Sequence, residues 1–281
     1  MSDSLRRACV MGYPVAQSRS PLIHGYWIRQ LGIAGAYEKK EIRAEEFADF
    51  VHGFPANGYV GGNVTIPHKE AAFRTVVRRD AAAEAIGAVN VIWLEDGRLV
   101  GGNSDTHGFI ANLDEAAPGW DVPGAHAVVL GAGGSARAAA YAFLQRGVKV
   151  HVVNRTRERA DALAQHFGAD VQSHDNAELP KLLEAADVLV NCTSCGMTGK
   201  SALDVDLAPL KPSAVVYDIV YVPLVTPLLA AARARGHRTA DGLGMLLHQA
   251  GYGFEKWFGA KTRVTPELRA LIEADLVPKR D

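Results

Sequence analysis

The stretch GGNVTIPHK, residues 61–69, ends on a lysine in an awkward place. Asn63 and Thr65 alternate as they would on one face of a strand. Ile66 is pushed toward an extended conformation by the proline after it, and Pro67 suits the first position of a helix, where a missing N–H costs nothing. Lys69 is then expected in the first helical turn, at the positive end of the macrodipole, where a cation is disfavoured. Most lysines end as solvated surface charges, but two polar neighbours sharing a face make a site the better reading. Other polar residues stand out in the same section. Ser18 and Ser20 in GYPVAQSRSPLIH are two apart, so an extended segment points both hydroxyls the same way. Ser20, before Pro21, has a plainer explanation as a helix N-cap; Ser18 has none. Asn90 lies on the apolar strand of IGAVN, where a buried amide needs partners. Asp105 in GGNSDTHGF sits at a loop-to-helix junction, and taken alone it reads as an N-cap.

A second constellation suits phosphates. Gly131, Gly133 and Ala136 fit G-x-G-x-x-[G/A], directly after the apolar strand AVVLG and opening a helix, with Gly134 in the same turn. Such glycines allow a tight turn and let a pyrophosphate approach the N–H groups of a helix N-terminus. An NAD site commonly ends the next strand with a carboxylate for the ribose hydroxyls. Here VKVHVV runs instead into Asn154, Arg155 and Thr156, followed by Arg157 and Arg159. A carboxylate would repel a 2′-phosphate, whereas a guanidinium offers it a fork of donors. NADP is therefore expected, with Arg155 ahead of Arg159, and with Arg157 read as a solvated surface charge.

The elements that carry these residues fall into two sections. From Ala8 to about Gly102 short strands alternate with helices: ACVMG, AYEKKEI and GYVGGNV as strands, PLIHGYWIRQLG and AEEFADFVHGF as helices. AVNVIWL and RLVGG form a hairpin around Asp96-Gly97. THGFIANLDEAA then reads as a helix. From His126 the order strand, glycine turn, helix, strand implies a parallel sheet wrapped by helices, repeated through ADVLVNCTS and AVVYDIV. Beyond about Ala240 only helices are expected. The 281 residues are 48% hydrophobic and 22% charged, with 30 basic against 31 acidic side chains and a net charge of −1. That balance argues against nucleic-acid or membrane partners held by bulk charge. The N-terminus has no apolar targeting pattern, three cysteines make no disulfide scaffold, and a cytoplasmic enzyme is the simplest expectation. CTSC, Cys192 to Cys195, lacks the second ligand pair that a zinc site wants, since the remaining cysteine is Cys9.

SRSP, NVTIPHK, GAVN, NSD, GAGGSAR, NRT, NCTSCGM, YDIVYVPLVTPLL and GLGMLLHQ occur in one order between Gly12 and Gln249. In this the chain resembles the shikimate dehydrogenase family. The resemblance implies a two-domain α/β enzyme: residues 1–105, completed by 240–281, as the substrate domain, and an inserted Rossmann-type NADP-binding domain at 106–239. It implies reduction of 3-dehydroshikimate to shikimate with NADPH, in aromatic amino-acid biosynthesis, in a groove between the domains. Carried over residue by residue, Ser18 and Ser20 would hold the substrate carboxylate. Asn63, Thr65, Asn90 and Gln249 would fix carboxylate and ring hydroxyls, and Tyr221 would face the substrate. Lys69 and Asp105 would form the catalytic pair. Thr193, Ser194 and Met197 would lie near the cofactor, with the Gly242 backbone and Met245 by the nicotinamide. GGNS stands where GDNT is more usual in the family, and His107 where small residues are common. The partner is a small molecule, the chain a monomer or homodimer. The rival enzyme is a dual quinate/shikimate dehydrogenase, against which the two serines speak; a regulator that has lost activity would not need Lys69 and Asp105.

Overall fold

The computed structural model describes residues 5–277; the ends of the expected division, residues 1–4 and 278–281, lie outside the described residues. The chain divides into two units, one running through Ser104 and resuming at Leu247–Val277, the other formed by Asp105–Leu246.

The first unit is built on six strands: β1 (Arg6–Gly12), β2 (Gly35–Glu41), β3 (Tyr59–Val64), β4 (Arg78–Arg79), β5 (Val91–Glu95) and β6 (Arg98–Gly102). Their order in the sheet is β2-β1-β3-β5-β6-β4. β1 pairs parallel with both β2 and β3, whereas β5 runs antiparallel to β3 and to β6. The β5–β6 hairpin turns through Asp96 (φ 50°) and Gly97 (φ 72°), the pair of positive φ values that a two-residue turn between twisted strands requires. One face of the sheet is filled by Cys9, Met11, Val64 and Ile92 against Phe47, Val51 and Phe54.

The second unit carries β7 (His126–Leu130), β8 (Lys149–Val153), β9 (Val171–His174), β10 (Val188–Asn191), β11 (Val215–Asp218) and β12 (Arg238–Asp241). All pairs are parallel, in the order β12-β11-β10-β7-β8-β9. Runs such as AVVL and VLV are buried on both faces: Val129, Val150 and Val190 pack with Phe143 and Tyr217, while Val128, Leu130 and Leu189 pack with Leu183 and Leu229. The strand order reverses between β7 and β10, which opens a crevice at their C-terminal ends. The return to the first unit falls inside the helix Gly242–Phe258, between Leu246 and Leu247. Among the described residues no helix is long and apolar enough to cross a membrane.

Candidate active site

Lys69 is the first residue of the helix Lys69–Thr75 and is half-buried. The expected place of Pro67 is corrected: it lies in the turn before the helix, after a cis Ile66–Pro67 peptide, and the helix starts two residues later. His68 anchors this turn, buried with its ring stacked on Phe47 (centroids 4.7 Å apart) and its Nε2 2.7 Å from the Ile42 carbonyl. The Lys69 carbonyl accepts the Val89 N–H at 3.0 Å, which ties the helix start to the segment bearing Asn90.

The two asparagines are both committed by their oxygens. Asn63, near the end of β3, accepts the Tyr37 hydroxyl on Oδ1 at 2.5 Å, and its Nδ2 makes only a long bond, 3.5 Å, to the Asn90 carbonyl. Asn90 is 4% exposed and accepts the Ser104 N–H at 2.8 Å and the Ser104 hydroxyl at 3.3 Å on Oδ1. Thr65 and Gln249 are half-buried in the same unit, and the Thr65 N–H extends the ladder to Met11 O at 2.9 Å. The unusual GGNS loop is secured by Asp80, which accepts from Ala83 N (2.7 Å), the Tyr252 hydroxyl (2.7 Å) and Asn103 N (3.2 Å).

The expected N-cap role of Ser20 is corrected: Arg19 stands at the N-cap, without a side-chain cap bond. The helix begins at Ser20 itself, and it is Ser18 whose hydroxyl accepts the Ser20 N–H, at 3.3 Å. Ser18 also borders a cavity of about 530 Å³ with Arg19, Lys39 and Asp275; none of Ser20, Asn63, Thr65 or Asn90 lines it, so it is not the candidate site.

In the second unit Gly131 follows β7 at φ 110°, and a Cβ there would lie 3.1 Å from Thr193 Cγ2 and 3.2 Å from the Cys192 backbone. Only glycine combines that conformation with that closeness. Gly133 and Gly134 are different: among the described residues, nothing beyond the adjoining chain lies within 4 Å of where their Cβ would be. They head the eleven-residue helix Gly134–Leu144, whose Ala136 is fully buried, so an open helix N-terminus faces the crevice. Asn154 closes the turn after β8 by donating to Thr156 O at 2.7 Å, and Thr156 precedes the helix Arg157–Phe167.

The three arginines separate cleanly. Arg157 is engaged with Asp161 (2.7 Å) and Asp175 (2.9 Å), so it is an ion-paired structural residue and not merely a solvated one. Arg155 and Arg159 are exposed, and among the described residues neither side chain has a hydrogen bond or ion pair.

Thr193 is held by Asn191, whose Oδ1 accepts from Thr193 N (3.0 Å) and Oγ1 (2.7 Å). The Asn191 amide donates to Asp218 Oδ1 at 3.0 Å, and Asp218 Oδ2 accepts the Thr226 hydroxyl at 2.6 Å. Burial raises the Asp218 carboxyl, an effect opposed by the bonds from Thr226, Val220 and Asn191. Ser194 and Met197 are exposed beyond this network, and Tyr221 is half-buried after β11. Gly242 opens the long helix, while Met245 is 9% exposed and packs in the core of its unit. Asp105 opens the helix Asp105–Ala116 and is 9% exposed. All three cysteines are free; burial pushes the Cys9 and Cys192 thiols up, away from reactivity.

Sequence reading missed Tyr37, His24 and the Asn191–Asp218 pair. The last left a signal, since polar residues that end the apolar strands VLVN and VVYD need buried partners. Tyr37 and His24 left none, because each matters through a contact distant in sequence.

A parallel sheet in the order of a dinucleotide-binding fold, with a glycine turn at the reversal and an open helix N-terminus above it, defines a dinucleotide-binding α/β protein. Residues 10–92 match the family model of the shikimate dehydrogenase substrate binding domain, and residues 115–219 that of shikimate / quinate 5-dehydrogenase. The chain is 57% identical to the shikimate dehydrogenase (NADP(+)) of Mesorhizobium japonicum, over 99% of this chain and 100% of that one. Shikimate 5-dehydrogenase from Thermus thermophilus, solved with NADP(H) and shikimate, superposes with a TM-score of 0.85 at 35% identity, covering 98% of this chain and 100% of the other. A quinate dehydrogenase from Corynebacterium glutamicum, solved with NAD, gives 0.88 at 30% identity over 96% and 99%. The chain belongs to the shikimate dehydrogenase family.

Proposed function

We propose that the chain catalyses the NADP-dependent, reversible reduction of 3-dehydroshikimate to shikimate. The observation that carries this is near-full-length identity above one half to relatives named for that reaction. The quinate reading is not favoured: the relative named a quinate dehydrogenase stands at 30% identity.

The unit ending at Ser104 and completed by Leu247–Val277 takes the substrate, and Asp105–Leu246 the cofactor. The residues fit NADP. Gly133 and Gly134 leave room over a helix N-terminus for a pyrophosphate, and Arg155 and Arg159 are unspent cations beside Asn154 and Thr156, suited to a 2′-phosphate. Thr193, Ser194, Met197, Gly242 and Met245 border the nicotinamide end. NADPH, when bound, supplies the hydride for the ketone carbon.

The protein's part is to bind, orient and move a proton. Ser18 and Ser20 hold the carboxylate; Asn63, Thr65, Asn90 and Gln249 hold carboxylate and ring hydroxyls, with Tyr221 alongside. Lys69 gives a proton to the oxygen that becomes the hydroxyl and takes it back in the reverse direction, and Asp105 keeps the ammonium in place. The same reading puts the enzyme in the cytoplasm as a monomer or homodimer, with no nucleic-acid or membrane partner.

Steady-state rates with shikimate and quinate, each with NADP and NAD, test this. Shikimate with NADP should be the best pair by a wide margin. Equal kcat/KM for quinate would restore the dual enzyme, and no NADPH absorbance from shikimate plus NADP would point to the inactive regulator.

A further inference from the structure

We propose that Tyr37 is a positioning residue of the substrate site, whose phenol fixes which end of the Asn63 amide meets the ligand. This rests on the functional reading above, which gives Ser20 and Asn63 to the substrate.

The sheet register explains how a residue on the edge strand reaches β3. Tyr37 on β2 lies beside Ala8 on β1, and Ala8 lies beside Gly61 on β3. Residues so paired share a face, and Asn63, two further along β3 from Gly61, shares it too. The space over Gly61 is taken by the Trp257 indole, and beside that indole lies the Tyr37 ring. Its hydroxyl arrives 2.5 Å from Asn63 Oδ1.

The ring has little freedom to move. His24 stacks on it with centroids 4.1 Å apart and planes 23° apart, and Trp257 stands 5.7 Å away at 43°. Ser20 and His24 are four apart on the helix Ser20–Gln30 and so share a face. That face holds the ring through His24. Burial raises the phenol well above its ordinary value, so it keeps its proton and remains a donor throughout the working pH range.

An amide has one acceptor end and one donor end. With Oδ1 taken by Tyr37, the Asn63 amino group is the end left for a ligand, and its bond to Asn90 O is a long one. The ligand expected here is all acceptors on its carboxylate, with hydroxyl oxygens beside it. Without the phenol the amide can turn over and set its own oxygen against those lone pairs.

Tyr37→Phe keeps the ring and its stacking and removes the hydroxyl. It should raise both the KM and the Kd for shikimate about tenfold, the scale of one oriented hydrogen bond, and leave kcat, the KM for NADP and the melting temperature close to wild type. In an Asn63→Ala background the same change should do nothing further to shikimate binding, since the phenol acts through the amide. Asn63→Asp, which presents an oxygen at either end, should bind shikimate more weakly than Asn63→Ala, and this comparison needs no change at Tyr37. An unchanged shikimate KM in Tyr37→Phe, effects that multiply in the double variant, or tighter binding by Asn63→Asp than by Asn63→Ala would each overturn the proposal. A wild-type enzyme inactive on shikimate would instead overturn the functional reading beneath it.

Discussion

In the mixed-sheet unit the side chains of the candidate site are amides and hydroxyls already bonded to one another: Tyr37 to Asn63, Ser104 to Asn90, Ser18 to the backbone of Ser20. In the parallel-sheet unit they are bare glycines over open space and two exposed arginines with no partner among the described residues. The first arrangement prepares a ligand site by fixing orientations in advance, which suits a small molecule whose isomers differ by the placing of a hydroxyl. The second prepares one by leaving backbone N–H groups and charge uncommitted, which suits the phosphates of a large, common cofactor. On the proposed function, specificity is written into bond direction in one unit and into charge in the other.

The most damaging test of this contrast is at Lys69. Its removal should lower kcat and kcat/KM together by about 10²–10⁴-fold, with shikimate Kd much less affected. Asp105→Asn should also be slow, and on the proposed pairing the double variant should be little worse than the slower single one. A Lys69→Ala enzyme with near-normal kcat would reduce the lysine to a surface charge.

The arginines give the next largest effect. Arg155→Ala should raise the KM for NADP by roughly 10–100-fold, the worth of a charge-assisted bond, and leave that for NAD alone. Arg157→Ala, by contrast, should leave the NADP/NAD ratio unchanged, since its guanidinium is engaged with Asp161 and Asp175. Equal shifts from both substitutions would erase the distinction drawn between them.

Neighbouring glycines sharpen it further. Gly131→Ala forces a side chain into φ 110° and against Thr193, and should cost about 1–3 kcal/mol of stability, read from denaturant unfolding. Gly133→Ala meets nothing beyond the adjoining chain among the described residues and should leave the melting temperature alone while raising the NADP KM several-fold. The reverse pattern would mean that Gly133 serves the fold and not the cofactor.

The effect that is smallest at neutral pH is a titration. His24 is fully buried, among the described residues neither ring nitrogen has a partner of hydrogen-bond geometry, and burial pushes it from 6.5 down to about 3, opposed in part by Asn63. The unfolded chain therefore takes up a proton on this side chain below about pH 6.5 that the folded chain refuses, so stability is full above that value and falls as pH drops toward 3. His24→Leu should flatten this acid limb by about 1 kcal/mol per pH unit, measured as melting temperature between pH 7 and pH 4. An unchanged limb would show that His24 is not the group responsible.

Much of this was legible in the chain itself. Period-2 and helical apolar patterns marked the long strands and helices, and Asp96-Gly97 marked its hairpin, because local backbone preference and burial decide those elements. The strands that escaped notice are β4, β9 and β12, two to four residues long and largely polar, formed only because a neighbour offers them an edge. Pro67 stands two residues before its helix and not at its first position, a difference hidden in the sequence because a helix-start proline and a proline in the preceding turn look alike. The glycine turn and Arg155 could be found because their chemistry is local. Tyr37 could not: its meaning lies in the register of three strands, and nothing between positions 37 and 63 announces that they meet.

The exposure of Arg155 has one more consequence, which concerns the solution around the protein. A contact between a guanidinium and a 2′-phosphate on the surface competes with dissolved ions, and at about 0.15 M salt charge is felt over only about 8 Å. The amide bonds of the mixed-sheet unit, being internal, carry no such dependence. Raising the ionic strength should therefore erode the preference for NADP over NAD while leaving the preference for shikimate over quinate intact. The two selectivities of one enzyme would then be set by different agents, the first partly by the surrounding salt and the second by the polypeptide alone.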